Sequence, residues 1–180
     1  MAILRSTDPA ADLRPGAAQV ATLGLIPADV AGVRATLAVM ADLVRAYRIN
    51  PIIRAHAESI IFFVPEKNAR AEIISVFEWV RDNVRYTQDV NGVETIKTPD
   101  AALESLQGDC DDQATLTAAL LESIGYACRL VAVCGDRPGE YSHVFSEVDL
   151  GGYWFALETT EDWPFGKRAP SQCAPMFQAV

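Results

Sequence analysis

The hydrophobic pattern of this chain changes its period close to residue 125, and this change constrains the fold more than any other feature. Before it, apolar residues recur every three or four positions, which is typical of amphipathic helices. After it, short alternating runs are separated by glycine-containing turns of hairpin length. Helices followed by an antiparallel meander predict an α+β fold with helices packed on an antiparallel sheet. The predicted helices span residues 28–47, 51–63, 68–85, 99–106 and 110–124, and the predicted strands span 127–134, 141–150 and 153–159.

The chain is long enough, at 180 residues, for one domain with a substantial core. Residues 1–27 hold prolines and glycines without a clear period and are predicted to form an extended arm or irregular lead-in. Residues 28–67 are predicted to be a helical N-terminal extension, and 68–166 the core of the domain. Residues 167–180 are predicted to be a C-terminal tail, within a Pro-, Trp- and Phe-rich stretch from residue 160 that wraps the surface.

Charge and hydropathy exclude several classes of partner. The formal net charge is −9 and the pI is near 4.6, which argues against binding to a phosphate backbone. The first residues lack the basic head and apolar run of a signal peptide, and no apolar run is long enough for a membrane span. We therefore expect a protein, peptide or small-molecule partner, no nucleic acid, no membrane and a cytoplasmic location.

The cysteines and histidines do not suggest a metal centre. The chain has four cysteines, two histidines and no CxxC pair, so a zinc site is not expected. Four cysteines in a chain of this length do not form a dense disulfide framework. We expect reduced thiols, which fit a cytoplasmic location, with Cys128 and Cys134 acting as packing residues.

Cys110 is the first candidate for chemistry, because it follows Gly108-Asp109 at the predicted start of a helix. The unpaired N–H groups and the dipole of a helix N-terminus stabilise a thiolate. The same N–H groups can stabilise an oxyanion. The neighbouring aspartates oppose ionisation of the thiol, because nearby negative charge raises a thiol pKa. An activated Cys110 therefore needs a base.

His143 and Glu158 supply the remaining parts of a nucleophile, base and orienter arrangement. His143 lies within a predicted strand, and Glu158 lies at the end of the next one. A hairpin through Gly151-Gly152 can place the two side chains next to each other. Each residue alone is more simply explained as capping, scaffold or solvated surface. Their order along the chain favours the logic of acyl-transfer enzymes.

Five short motifs between residues 68 and 166 together resemble the transglutaminase-like superfamily, which shares the papain-like cysteine protease fold. The matching residues are Trp79-Val80 with Asn83-Val84-Arg85-Tyr86; Pro99, Leu103 and Gly108-Asp109-Cys110-Asp111-Asp112; Gly125, Tyr126 and Arg129; His143, Phe145 and Glu147; and Trp154, Leu157 and Thr160 around Glu158.

The resemblance implies a Cys110–His143–Glu158 triad that acts on amide or peptide bonds through a thioacyl intermediate. Glu158 departs from the family pattern, in which the third position is usually aspartate. Hydrolysis by water and transfer to an amine both remain open, with a protein or peptide as substrate and no cofactor. The candidate oxyanion or substrate-binding side chains are Gln107, Asp111, Tyr86 and Trp79.

An alternative is that the domain is a catalytically inactive member of this fold that serves in protein assembly. Small proteins with a Gly-Asp-Cys-Asp-Asp core resemble ones carried by bacteria and their phages. A bacteriophage structural role, with a virion-associated location, is therefore the second hypothesis. An assembly partner would then contact the N-terminal arm.

Overall fold

The structure, a computed structural model, describes residues 20–24, 30–88, 94–135 and 137–180, so most of the predicted arm (1–27) lies outside the described residues. The described parts form helices packed against an antiparallel sheet, with a helical region at the N-terminal side, and the predicted α+β class is confirmed. The helices are α1 (Val30–Tyr47), α2 (Pro51–Ile61), α3 (Ala69–Asn83), α4 (Pro99–Ser105) and α5 (Cys110–Ser123). The strands are β1 (Val20–Gly24), β2 (Arg85–Tyr86), β3 (Glu94–Lys97), β4 (Gln107–Gly108), β5 (Cys128–Cys134), β6 (Tyr141–Leu150), β7 (Tyr153–Leu157) and β8 (Met176–Ala179).

The largest sheet has the strand order β7-β6-β5-β8, and each neighbouring pair is antiparallel. Strands β5, β6 and β7 form the predicted meander. Strand β8 was not predicted, because the tail was expected to wrap the surface. It pairs instead with β5, placing Phe177 opposite Val131. Four residues with one buried position are too short a pattern to indicate a strand by alternation.

Helix α5 lies at the centre of the molecule, and nearly all of its side chains are buried. Leu116, Leu120 and Leu121 are fully buried in the main hydrophobic core. The hydroxyl of Thr117 donates to the carbonyl of Gln113 at 2.7 Å, which satisfies one polar group of this buried helix. Burial on every side fixes the position of the first residue of α5, which is Cys110.

The predicted helical extension shares this core. Met40 and Tyr47 of α1 and Ile53 of α2 are fully buried in the same cluster as Leu116 and Leu120 of α5. The start of α2 is set by Asn50, whose side chain accepts from the amide of residue 52 at 2.8 Å, and by a proline at the first helical position. Helices α1 and α2 therefore help to position α5.

A disulfide joins Cys134 at the end of β5 to Cys173, whose Cα atom lies 5.7 Å away and 39 positions further along the chain. The expectation that all four thiols are reduced is wrong, as is the packing role given to Cys134. The missed strand β8 explains the error, because its pairing with β5 brings the preceding residues to the end of β5. The reduced-thiol argument for a cytoplasmic location no longer holds. Cys110 and Cys128 are free thiols.

Replacing both Cys134 and Cys173 with serine is expected to lower the free energy of unfolding by about 2–4 kcal/mol, because the unfolded chain gains the freedom that the cross-link removes. Urea unfolding curves of the two proteins measure this difference. Adding a reductant should destabilise the wild type and leave the double variant unchanged. A wild type that is insensitive to reductant would contradict the prediction.

Candidate active site

Cys110 is placed at the N-terminus of α5 by an aspartate cap. The side chain of Asp109 accepts from the amides of Asp111 and Asp112, each at 3.1 Å. Glycine is required at 108, because a Cβ there would lie 2.5 Å from the Cβ of Asp112. The sequence analysis expected the first N–H groups of this helix to bind an oxyanion. Two of them, the amides of Asp111 and Asp112, already donate to the Asp109 side chain.

Asp112 ties the start of α5 to strand β3. Its buried carboxylate accepts from the backbone amide of Lys97 at 2.7 Å and from the Nζ of the same residue at 2.6 Å. A buried carboxylate is stable in the ionised form only where it is paired and hydrogen-bonded in this way. The pair therefore has a structural role, holding the first turn of α5 against the strand.

His143 and Glu158 meet across the β6–β7 hairpin. The pairing of Ser146 with Leu157 places the next residue, Glu158, diagonally from His143, a position that long side chains can reach. The Nε2 atom of His143 lies 2.6 Å from Oε2 of Glu158, whose side chain is buried. The other carboxylate oxygen accepts from the hydroxyl of Thr160 at 2.8 Å. The imidazole is therefore held through Nε2 by a carboxylate that is itself fixed.

Two cavities adjoin this histidine, and His143 and Tyr86 line both. The first, of about 240 Å³, is also lined by Cys110, and the second, of about 430 Å³, is also lined by Glu158. The thiol, imidazole and carboxylate thus lie along one cleft. The other residues around the first cavity are Val33, Thr36, Gln88, Asp109, Asp111, Ala132, Tyr141, Ser142 and Val144.

The surroundings of Cys110 favour the neutral thiol. Burial raises the pKa of the Cys110 thiol well above its usual range, and the carboxylate of Asp111 raises it further. A backbone hydrogen bond at Val144 acts in the opposite direction, and Asp109 adds to the increase. The Sγ atom donates to Oδ1 of Asp111 at 3.5 Å. The free protein therefore holds its proton on sulfur, and a base is needed to remove it.

The four candidate oxyanion or substrate-binding residues lie in different places. Tyr86 and Asp111 line the cavity next to Cys110. Gln107 lies on β4 with its side chain exposed and is not among the residues that line either cavity. Trp79 lies elsewhere, with its ring centroid 4.3 Å from that of His56. The structure thus brings two of the four to the thiol.

The sequence analysis did not identify most of the residues that surround the cleft. Gln88 lines the cavity beside Cys110, and so do Val33 and Thr36 of α1. Gln88 comes shortly after strand β2, whose two residues are too few to show a hydrophobic period. The hydrophobic period of α1 predicts a packed helix and does not indicate that this helix borders the cleft.

The described part of the chain shows no group of three or more His, Cys, Asp or Glu side chains that could hold a metal ion. None of its helices is long and apolar enough to cross a membrane.

Asp111→Asn is expected to make Cys110 more reactive, because removing the neighbouring charge lowers the pKa of the thiol and enlarges the thiolate fraction at a given pH. The rate of iodoacetamide alkylation at pH 8, read at Cys110 by mass spectrometry, should rise several-fold. Asp42→Asn, on the exposed face of α1 and outside the cleft, is the charge-matched control. An unchanged or slower rate in Asp111→Asn would show that the carboxylate does not hold the thiol neutral.

Comparison with known proteins gives one family and several structures. The model of the transglutaminase-like superfamily matches residues 62–159, more than half of the chain. Among solved structures, a candidate cysteine protease from Cytophaga hutchinsonii is 16% identical with a TM-score of 0.50, over 63% of this chain and 39% of that one. A candidate protease from Parabacteroides distasonis is 14% identical with a TM-score of 0.51, over 68% of this chain and 26% of that one.

These structural similarities concern the fold alone, because the identities are low. The chain spans about two fifths of the length of the first structure and about a quarter of the second. No curated protein matches the chain.

Proposed function

The chain belongs to the transglutaminase-like superfamily, and on that premise we propose that it is a cysteine-dependent enzyme that acts on amide bonds of a protein or peptide. Cys110 is the nucleophile, His143 is the general base, and Glu158 orients the imidazole and stabilises its charged form. The observation that carries the proposal is the 2.6 Å contact between His143 and Glu158 beside a cavity that Cys110 also lines.

The first half-reaction forms a thioester. Because Nε2 of His143 contacts Glu158, Nδ1 is the ring nitrogen that accepts the proton of the Cys110 thiol. The sulfur attacks the amide carbonyl, the S–C bond forms, and the C–N bond breaks. The leaving amine takes the proton from the imidazolium, so the histidine returns to its neutral form.

The second half-reaction releases the acyl group. Water or an amine attacks the thioester while His143 accepts its proton, the C–S bond breaks, and the proton returns to the sulfur of Cys110. Water gives hydrolysis and an amine gives acyl transfer. The cleft adjoining His143 on both sides has room for a leaving group and an acceptor.

The oxyanion needs donors other than the amides that the Asp109 cap engages. The amide of Cys110 is a first-turn N–H that this cap does not use. The hydroxyl of Tyr86 and the side-chain amide of Gln88 are two side-chain donors among the residues that line the same cavity. One backbone and one side-chain donor form a typical oxyanion hole.

The raised pKa of Cys110 favours one alternative, in which the domain is an inactive scaffold that serves in protein or virion assembly. A half-buried thiol next to Asp111 matches an inert cysteine as well as a proton-holding nucleophile. The alternative gives no role to the fixed orientation of the imidazole by Glu158 and Thr160. The enzyme is therefore the first proposal.

The proposal can be tested by incubating the chain with casein and a fluorescent primary amine. New α-amino groups report hydrolysis, and fluorescence incorporated into casein reports transfer. At least one signal is expected in the wild type and neither in Cys110→Ala. Equal signals in the two proteins would show that Cys110 is not the nucleophile, and no signal together with an inert Cys110 thiol would favour the scaffold.

A further inference from the structure

The second cavity of the cleft, on the Glu158 side of His143, has the size of a side-chain subsite. Its volume of about 430 Å³ falls within the range of about 300–1,000 Å³ that is usual for ligand pockets. Because it shares His143 and Tyr86 with the cavity at Cys110, it is within reach of a peptide bound across the thiol. Its remaining walls are Val133, Gly135, Thr160, Glu161, Trp163, Ala169 and Pro170.

The walls of this cavity combine apolar surface with negative charge. Of the described residues that line it, none is lysine or arginine, and the carboxylates are Glu158 and Glu161. Glu158 is already committed to His143 and Thr160. The exposed carboxylate of Glu161 makes no hydrogen bond or ion pair with any residue that the structure describes. It is therefore available to a ligand.

The aromatic wall is already in contact with a cation. The Nζ atom of Lys167 lies 4.0 Å from the centroid of the Trp163 ring. Lys167 is not among the residues that line the cavity. The negative face of an indole attracts ammonium and guanidinium groups, and long basic side chains pack their methylene stems along apolar surface. Trp163, Ala169 and Pro170 offer such a surface in the cavity that Glu161 also lines.

We propose that Glu161 is a specificity-determining residue that recognises a lysine or arginine side chain of the peptide substrate. The methylene stem packs against Trp163 and Ala169, and the charged end pairs with the carboxylate of Glu161. This inference rests on the proposed function, because it assigns the substrate side chain that lies next to His143. The net charge of −9 adds a long-range attraction for basic peptides that weakens with salt.

Binding can be measured without using the reactivity of Cys110. The probes are N-acetyl-lysine methylamide and N-acetyl-norleucine methylamide, which have similar shapes and differ in charge. Each is titrated into the ¹⁵N-labelled full chain, and the indole N–H signal of Trp163 is followed by NMR. The wild type is expected to bind the lysine probe about tenfold more tightly, the size of one charge-assisted contact at a partly exposed site.

Glu161→Gln is expected to bring the ratio of the affinities for the lysine and norleucine probes close to one. Asp162→Asn is expected to preserve the wild-type ratio. Asp162 is the matched control, because it is the adjacent exposed acidic residue and does not line the cavity. Equal affinity for the two probes in the wild type, a preference that survives Glu161→Gln, or an equal loss in Asp162→Asn would each overturn the inference. Iodoacetamide labelling of Cys110 tests the proposed function separately, so the two failures are distinguishable.

Discussion

Replacing His143 with alanine is expected to lower the rate of amide turnover by about 10²- to 10⁴-fold, the usual contribution of a positioned general base. The effect should be large because burial and the charge of Asp111 keep the proton on Cys110, so that little thiolate forms without a base. The turnover of casein at pH 7, measured as new amino groups or incorporated amine, reports the change.

His56 provides a matched control, because the chain has only two histidines. Its ring packs against Trp79, and His56 is not among the residues that line either cavity. His56→Ala should therefore leave the turnover per folded molecule unchanged. Glu158→Gln should reduce turnover by altering the hydrogen bond that orients the imidazole, and Glu158→Asp should retain more of it. Equal turnover in wild type and His143→Ala would contradict the triad.

Replacing Ile53 with alanine is expected to lower the free energy of unfolding by about 2–5 kcal/mol, the usual cost of such a cavity in a packed core. Ile53 is fully buried in the cluster that also holds the side chains of α5. Urea unfolding followed by circular dichroism measures the change in midpoint and slope.

Ile52→Ala is the control for this experiment, because Ile52 is the preceding residue of α2 and is 58% exposed. Its replacement should change stability by about 0.5 kcal/mol or less. The comparison tests whether α2, which lies before the residues matched by the family model, belongs to the cooperative core. Equal small effects of the two substitutions would show that it does not.

The helices and the meander were predictable because each has a long or regular pattern. The predicted helix 110–124 is observed as Cys110–Ser123, and the predicted strand 141–150 is observed with the same bounds. Strand β8 was not predictable, because four residues at the end of a Pro-rich tail give no reliable period. The disulfide was missed for the same reason, since Cys173 reaches Cys134 only when β8 joins the sheet.

The candidate site was predictable in its main residues and not in its surroundings. The motifs and their spacing identified Cys110, His143 and Glu158 as candidates. The β6–β7 hairpin accounts for the contact between His143 and Glu158. Oxyanion donors depend on how loops and distant helices approach the thiol, which a single sequence does not encode locally. This is why Trp79 was proposed and Gln88 was not.

The protonation state of Cys110 also required the structure. The sequence shows the helix start and the flanking aspartates, which have opposite effects on a thiol pKa. The structure adds burial and the Asp109 cap, which engages the amides of Asp111 and Asp112. Together these features favour a neutral thiol over a permanent thiolate. The thiol then loses its proton to His143 during the attack.

The most direct test of the triad is the rate of iodoacetamide alkylation at Cys110 between pH 6 and 9, in wild type and His143→Ala. Buried Cys128 is the internal control. We predict labelling at pH 7 at least about tenfold faster in the wild type, within the range of general-base effects. The variant should react appreciably only at alkaline pH, because burial and Asp111 raise the pKa of its thiol. Superimposable pH profiles of the two proteins would contradict the claim that His143 activates Cys110.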